Sequence, residues 1–301
     1  MATTQEYALL SLYVYQVANK EDNRPNLPNF GWTLLEIKDD NFLGFSYGVF
    51  RRSGTGEVVL AYTGTNGAVD WASNFAAGTG LPSWQVANAA LVYQQVKEKY
   101  GNNITLSGHS LGGGLASVMA TWFNRPAVVF DEAPFQPTAA NPVMLALVRA
   151  QLLLKGYSDA AMDSAIIDFS SREAQVANHY LQGEILNALR FDANTVAGSD
   201  TRIDINGSEA GAVQLHSLAL LAAARMSESF RLATYASTSV VPLIMSDKLY
   251  AYNTGTSIEK NFLVDLIRSE QSSVVGQGKL THFAADLNKL GTNIAGLNVA
   301  A

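Results

Sequence analysis

Residues 103–120 read NITLSGHSLGGGLASVMA, and this segment constrains the fold more than any other part of the chain. A short apolar strand signal, NITLS, runs into a tight turn, and a run of small residues then reads as a helix over Leu111–Phe123. The turn holds Gly108-His109-Ser110-Leu111-Gly112, a G-x-S-x-G match whose meaning comes from its place between strand and helix. A serine on so sharp a bend needs a strained backbone, and flanking glycines let neighbouring elements approach without Cβ clashes. The bend lifts Ser110 Oγ clear of the sheet and sets it at a helix N-terminus. Free N–H groups and the helix dipole there favour developing negative charge. That is the setting of a serine nucleophile. A Gly/Ser turn with Ser110 as a simple N-cap is the competing reading.

The rest of the chain supplies a sheet for this turn. Trp32–Ile37, Phe42–Arg51 and Glu57–Tyr62 read as strands, and EVVLAY in the third is a continuous apolar run of the kind buried on both faces. Ala127–Phe130, Val176–Gln182 and Ile203–Ile205 read as further strands. Helical patterns fall at 4–18, 83–99, 141–170 in two pieces parted near Gly156, 216–226, 257–269 and 279–290. Strands alternating with helices predict an α/β fold with a mostly parallel central sheet and helices on both faces. The 301 residues fit one large domain: a core over about 30–226, a helical insertion at about 133–175 and a helical C-terminal extension over 227–301.

Composition removes several function classes. Hydrophobic residues make up 48% and charged residues 15%, which excludes disorder for the bulk and predicts a large core, extensive apolar surface, or both. The net charge is −6 with no Lys/Arg cluster, which argues against nucleic acid. There is no cysteine, so disulfides, thiolate nucleophiles and Cys-ligated zinc are excluded. No His pair stands at metal-ligand spacing, and neither metal nor cofactor is expected. Two long uncharged stretches, Trp71–Val96 and Gly101–Asn124, are too polar and Gly-rich to span a membrane. The opening MATTQEYALLSLYVYQVANKEDN lacks a basic region and carries Glu6 before its apolar part, so it does not read as a signal peptide. Both a cytoplasmic place and a signal-independent export route stay open.

GHSLGGGLA is similar to the GHSLGGALA of the class 3 lipase family of α/β-hydrolases. The upstream VVLAYTGTNGAVDWASN resembles that family's second signature, an apolar strand ending in FRGT and followed by a D-W pair. Here the strand ends Tyr62-Thr63-Gly64-Thr65, then Asp70-Trp71, with Thr63 where the family usually has Arg. The resemblance covers about 57–131 well and 176–221 loosely. It implies an α/β-hydrolase fold and hydrolysis of acyl esters through a Ser-His-acid triad. Acyl transfer also needs two donors facing the oxyanion. Leu111, the residue after the nucleophile, offers its N–H. Thr65, in the loop after a neighbouring strand, offers a second donor.

The base follows by elimination among four histidines. His109 adjoins Ser110, where neighbouring side chains on a tight turn diverge, so it is expected to pack beside the bend. His179 lies inside the strand VANHYLQ, and His282 sits in a late helix. His216 opens the helix HSLALLAAA after a Gly-containing loop and gives the chain order Ser…acid…His. The family's His-bearing loop falls in the same region. The acid normally follows the strand after AVVF, and Glu184, just past Val176–Gln182, takes that position with Glu in place of the relatives' usual Asp. Asp192, Asp131 and Asp168 are alternatives.

Residues 133–158 (APFQPTAANPVMLALVRAQLLLKGYS) carry apolar side chains on more than one helix face. Such a helix is either packed in the core or an interfacial lid over an acyl groove. With the resemblance, a lipid acyl ester, triacylglycerol or phospholipid, is the expected substrate, with transient contact to a lipid interface. Two other readings stand beside a triacylglycerol lipase or phospholipase A: a secreted phospholipase effector that attacks membranes, and a catalytically inactive binding protein on the same fold.

Overall fold

The computed structural model describes residues 2–20, 24–39, 45–64, 81–187, 199–245, 263, 266 and 267. Thr65, Asp192, His282 and the expected helix at 279–290 lie outside these residues, as does all but Leu263, Leu266 and Ile267 of the one at 257–269.

Among the described residues, seven strands form one sheet in which spatial order equals chain order. They are β1 (Trp32–Lys38), β2 (Tyr47–Arg52), β3 (Val58–Tyr62), β4 (Ile104–His109), β5 (Ala127–Phe130), β6 (Val176–Leu181) and β7 (Ser199–Ile203). The first two pairings are antiparallel, and β3 through β7 run parallel. This is the expected α/β architecture.

Sequential order has a consequence for layering. Right-handed crossovers that all step the same way put their helices on the same face. Accordingly α2 (Ser83–Tyr100), α3 (Leu111–Phe123), the short α4 (Gln136–Ala139), α5 (Pro142–Leu154) and α6 (Phe169–Glu173) supply residues that pack on one side of the sheet. The opposite face is left to the segments before β1 and after β7. It is covered by α1 (Thr4–Ala18), α7 (Ala212–Leu215), α8 (Leu218–Met226), α9 (Glu228–Ala236) and α10 (Val240–Ile244). The strand period of two divides β3 between the layers: Val58, Leu60 and Tyr62 face the first, Val59 and Ala61 the second. Every residue of β3 and β4 is buried, which is why EVVLAY reads as an unbroken apolar run.

α1 is anchored at its start by a capping box, in which Thr3 Oγ1 accepts from Glu6 N–H and Glu6 accepts from Thr3 N–H. The buried Glu57 carboxylate ties it to the sheet by accepting from Tyr7 Oη at 2.6 Å and from the Ala2 N–H at 2.9 Å.

Some details differ from the sequence reading. β7 covers Ser199–Ile203 rather than 203–205, because its parallel register with β6 ends at Leu181 opposite Ile203. His216 does not open a helix: it caps the C-terminus of α7, and Ser217 caps α8 by accepting from Leu220 N–H. In α2 the buried stripe runs through Val86, Ala89, Ala90, Tyr93 and Val96, which leaves Trp84 40% exposed.

Candidate active site

The C-terminal ends of the parallel strands converge on one edge of the sheet, where open α/β sheets build their sites. Tyr62, Gly108 and Val129 are level across β3, β4 and β5, and Phe130 is level with His109 and His179. Gly64, Ser110, Asp131 and Glu184 lie just beyond these strand ends.

Ser110 stands between β4 and α3 at φ 55°, ψ −126°, a positive φ that a side-chain-bearing residue rarely adopts. The bend is held from both sides. Ser110 N–H donates to the Phe130 carbonyl at 3.0 Å, and the Ser110 carbonyl accepts from Gly114 and Ala133. The flanking glycines are required by space: a Cβ on Gly108 would overlap the Gly112 carbonyl, and one on Gly112 would overlap Tyr62 backbone. Leu111 is the first residue of α3, so its N–H has no acceptor within the helix and stands beside Ser110. Helix α3 is buried on all sides, which explains its Gly/Ala/Ser content next to a sheet that passes close by.

His216 comes to Ser110 from the link between α7 and α8. Its Nε2 lies 2.8 Å from Ser110 Oγ, and its Nδ1 lies 2.6 Å from Glu184 Oε2. Both His216 and Glu184 are buried, and Ser110 is half-buried. Gly183, at φ 84°, turns the chain after β6 so that Glu184 points back at the His216 ring. The same carboxylate oxygen accepts from Leu186 N–H at 2.9 Å.

The other expected acids go elsewhere. Asp131 Oδ1 accepts from Leu181 N–H at 3.1 Å, and its Oδ2 lies 3.7 Å from the Nε2 of His109, not beside a His216 nitrogen that Glu184 already holds. Asp168 pairs with Ser164 and Arg172 in the α6 region. His179 faces Phe130 inside the sheet; burial, and then the Arg225 charge, pull its pKa down to about 4. Thr63, at the position where the relatives have Arg, is buried and donates its hydroxyl to the Ser46 carbonyl at 3.2 Å.

One feature escaped the sequence reading. His109, Asp131 and His216 each offer a ligand atom, all within 4.8 Å of one another, though they come from three separate segments. Both His216 nitrogens are engaged by Ser110 and Glu184, and His109 Nε2 contacts the His216 carbonyl at 2.9 Å. A cation here would have to break the bonds that organise the site.

The chain is similar to several known proteins. A family model described as phospholipase-like, Tle-like phospholipase domain, matches residues 6–237. An extracellular phospholipase A1 of Serratia liquefaciens is 38% identical over 90 residues, which are 30% of this chain and 28% of that protein. The match to that relative therefore spans less than a third of either partner. Among solved structures, the Lip2 lipase of Yarrowia lipolytica shares 16% identity at a TM-score of 0.43 over 66% of this chain and 79% of its own. A Rhizomucor miehei lipase propeptide complex shares 16% identity at a TM-score of 0.41 over 67% and 70%. With the family match spanning most of its length, from the first helix to the end of α9, the chain belongs to the Tle-like phospholipase domain family.

Proposed function

We propose that the chain is a serine hydrolase of lipid acyl esters, with a phospholipid as substrate and reaction of phospholipase A type. The observation that carries this reading is the position of His216, whose two ring nitrogens meet Ser110 and Glu184 at once. In the proposed reaction Ser110 Oγ attacks the ester carbonyl while its proton passes to His216 Nε2. Glu184 holds the ring and stabilises the imidazolium. The Leu111 N–H faces the oxyanion, and Thr65 supplies the second donor. Proximity supports Thr65: the preceding Gly64 lies so close to Leu111 that a Cβ there would overlap the Leu111 side chain. The lipid alcohol leaves with the proton, and water, deprotonated by His216, releases the fatty acid from Ser110. The phospholipid substrate is supported by the family and by the Serratia relative, which is a phospholipase A1.

The contact with lipid is assigned to α5. Leu145, Val148 and Leu152 pack inward, while Val143, Leu147 and Leu154 are 66%, 56% and 88% exposed. An apolar stripe left outside a packed helix suits an aggregated substrate.

The experiment compares wild type and Ser110→Ala on p-nitrophenyl butyrate, phosphatidylcholine vesicles and trioleoylglycerol emulsions. Fatty-acid release from vesicles by the wild type alone is the expected result. Release from the emulsion but not from vesicles moves the substrate to triacylglycerol. Inactivity on all three leaves the reading without its chemistry.

A further inference from the structure

We propose that His109 is a positioning residue that couples the nucleophile turn to the loop carrying His216, and that Asp131 fixes its ring; this rests on the hydrolase reading above.

His109 is the last residue of β4 and immediately precedes Ser110. Its ring is buried and lies 4.7 Å from the His216 ring, tilted by 40°. Its Nε2 is 2.9 Å from the His216 backbone oxygen. A carbonyl can only accept, so His109 Nε2 carries the proton in this bond. Burial pulls the His109 pKa below its ordinary value, which keeps the ring neutral. Asp131 stands 3.7 Å from the same nitrogen and favours the tautomer that places the proton there.

The other surroundings of His109 tie the same pieces together. Asp131 is fully buried and is held at φ 42°. It reaches the end of β6 through Leu181 N–H, and the Leu181 carbonyl accepts from Glu184 N–H at 3.3 Å. On the opposite side, Tyr15 Oη donates to the His109 carbonyl at 2.9 Å and accepts from Gly64 N–H at 3.3 Å. The Tyr15 ring meets the His109 ring edge-on, with centroids 5.4 Å apart. His109 is thus the point at which the Ser110 turn, the His216 loop, the Glu184 turn and the strand end at Gly64 are joined. His216 sits in a short link between two helices, and a bond to its carbonyl limits how far its imidazole can swing from Ser110. An error near 1 Å in such a placement costs about 10²-fold in rate.

The test uses the full chain with His109→Leu, His109→Gln and Asp131→Asn. Glutamine places an amide N–H near the position of His Nε2, whereas leucine fills space without a donor. Readouts are kcat and KM on p-nitrophenyl butyrate, the rate at which a fluorophosphonate labels Ser110, and the thermal melt. Expected for His109→Leu is a loss of about 10- to 100-fold in kcat and labelling rate with KM within about threefold. His109→Gln is expected within about fivefold of wild type, and Asp131→Asn about three- to tenfold below it. Wild-type rates in a folded His109→Leu overturn the proposal. So does a folded His109→Gln that has lost more than about tenfold, and this arm decides if His109→Leu does not fold. A wild type that neither hydrolyses the ester nor reacts with the probe overturns the hydrolase reading itself, and this inference with it.

Discussion

At the scale of single residues, the turn at Ser110 spends backbone strain on geometry. Its φ of 55° is tolerated because hydrogen bonds to Phe130, Gly114 and Ala133 fix the bend and because Gly108 and Gly112 remove the atoms that would collide. The strained turn and its glycines were legible, since that pattern needs only local spacing between a strand and a helix; the bonds to Phe130 and Ala133 were not. His216 was legible by elimination among four histidines. Strand order puts Glu184 ahead of Asp131, but the contact itself depends on how the chain turns after β6, which no spacing reports. Gly183 turns Glu184 toward His216, whereas Asp131, directly at its strand end, faces His109. The partnership of His109 with the His216 carbonyl joins positions far apart in sequence, and no spacing rule reports it. On the proposed mechanism, Glu184→Gln lowers kcat by about 10²- to 10⁴-fold with KM little changed, because the ring loses the partner that sets its tautomer. Glu184→Asp keeps the charge at a shorter reach and retains more activity. Steady-state kinetics of Glu184→Gln beside Asp131→Asn check the assignment: a larger loss in Asp131→Asn would transfer the acid's role to Asp131.

At the scale of elements, periodicity gave most strands and helices to within a few residues, and tertiary context moved the rest. The helical pattern of HSLALLAAA predicts a helix from His216, but it does not reveal that Ser217 is the cap, and α8 starts at Leu218. The two-sided apolar pattern of α5 did not distinguish a buried helix from an exposed one; its packing against α2 and α4 buries one stripe and leaves the other open. If that open stripe contacts lipid, Leu147→Ser with Leu154→Ser lowers activity on vesicles about tenfold and leaves p-nitrophenyl butyrate hydrolysis unchanged. Equal losses on both substrates would instead assign the stripe to folding. For α3 the expectation concerns stability. Gly112→Ala puts a methyl group onto Tyr62 backbone, which cannot move without disturbing β3. Urea denaturation is expected to show a loss of about 2–4 kcal/mol, in the range of an overpacked core site.

At the scale of the whole molecule, the low charged fraction is accounted for twice over. A sheet covered on both faces consumes apolar residues, and further large apolar side chains such as Ile167 and Leu154 remain outside. Histidines drawn into such an interior make stability depend on pH. His179 is neutral when folded, with its pKa lowered to about 4, first by burial and then by Arg225. Burial lowers His109 in the same direction. In the unfolded chain both titrate near 6.5. Between about pH 6.5 and 4 the unfolded state therefore binds more protons, so stability is full above that window and falls as the pH drops through it. For His179 alone the loss at the acid end is on the order of 3 kcal/mol, a sizeable share of a typical net stability of about 5–15 kcal/mol. Two acids act at lower pH: against the pull of burial, Lys99 beside Glu36 and Lys97 beside Asp159 hold both below their ordinary values. The interval from pH 6.5 to 5 lies inside the histidine window. Thermal melts across it are expected to fall steadily for the wild type and less steeply for His179→Phe, which keeps a ring against Phe130 without a titrating nitrogen. Identical slopes in the two proteins would show that His179 is not a source of the acid sensitivity.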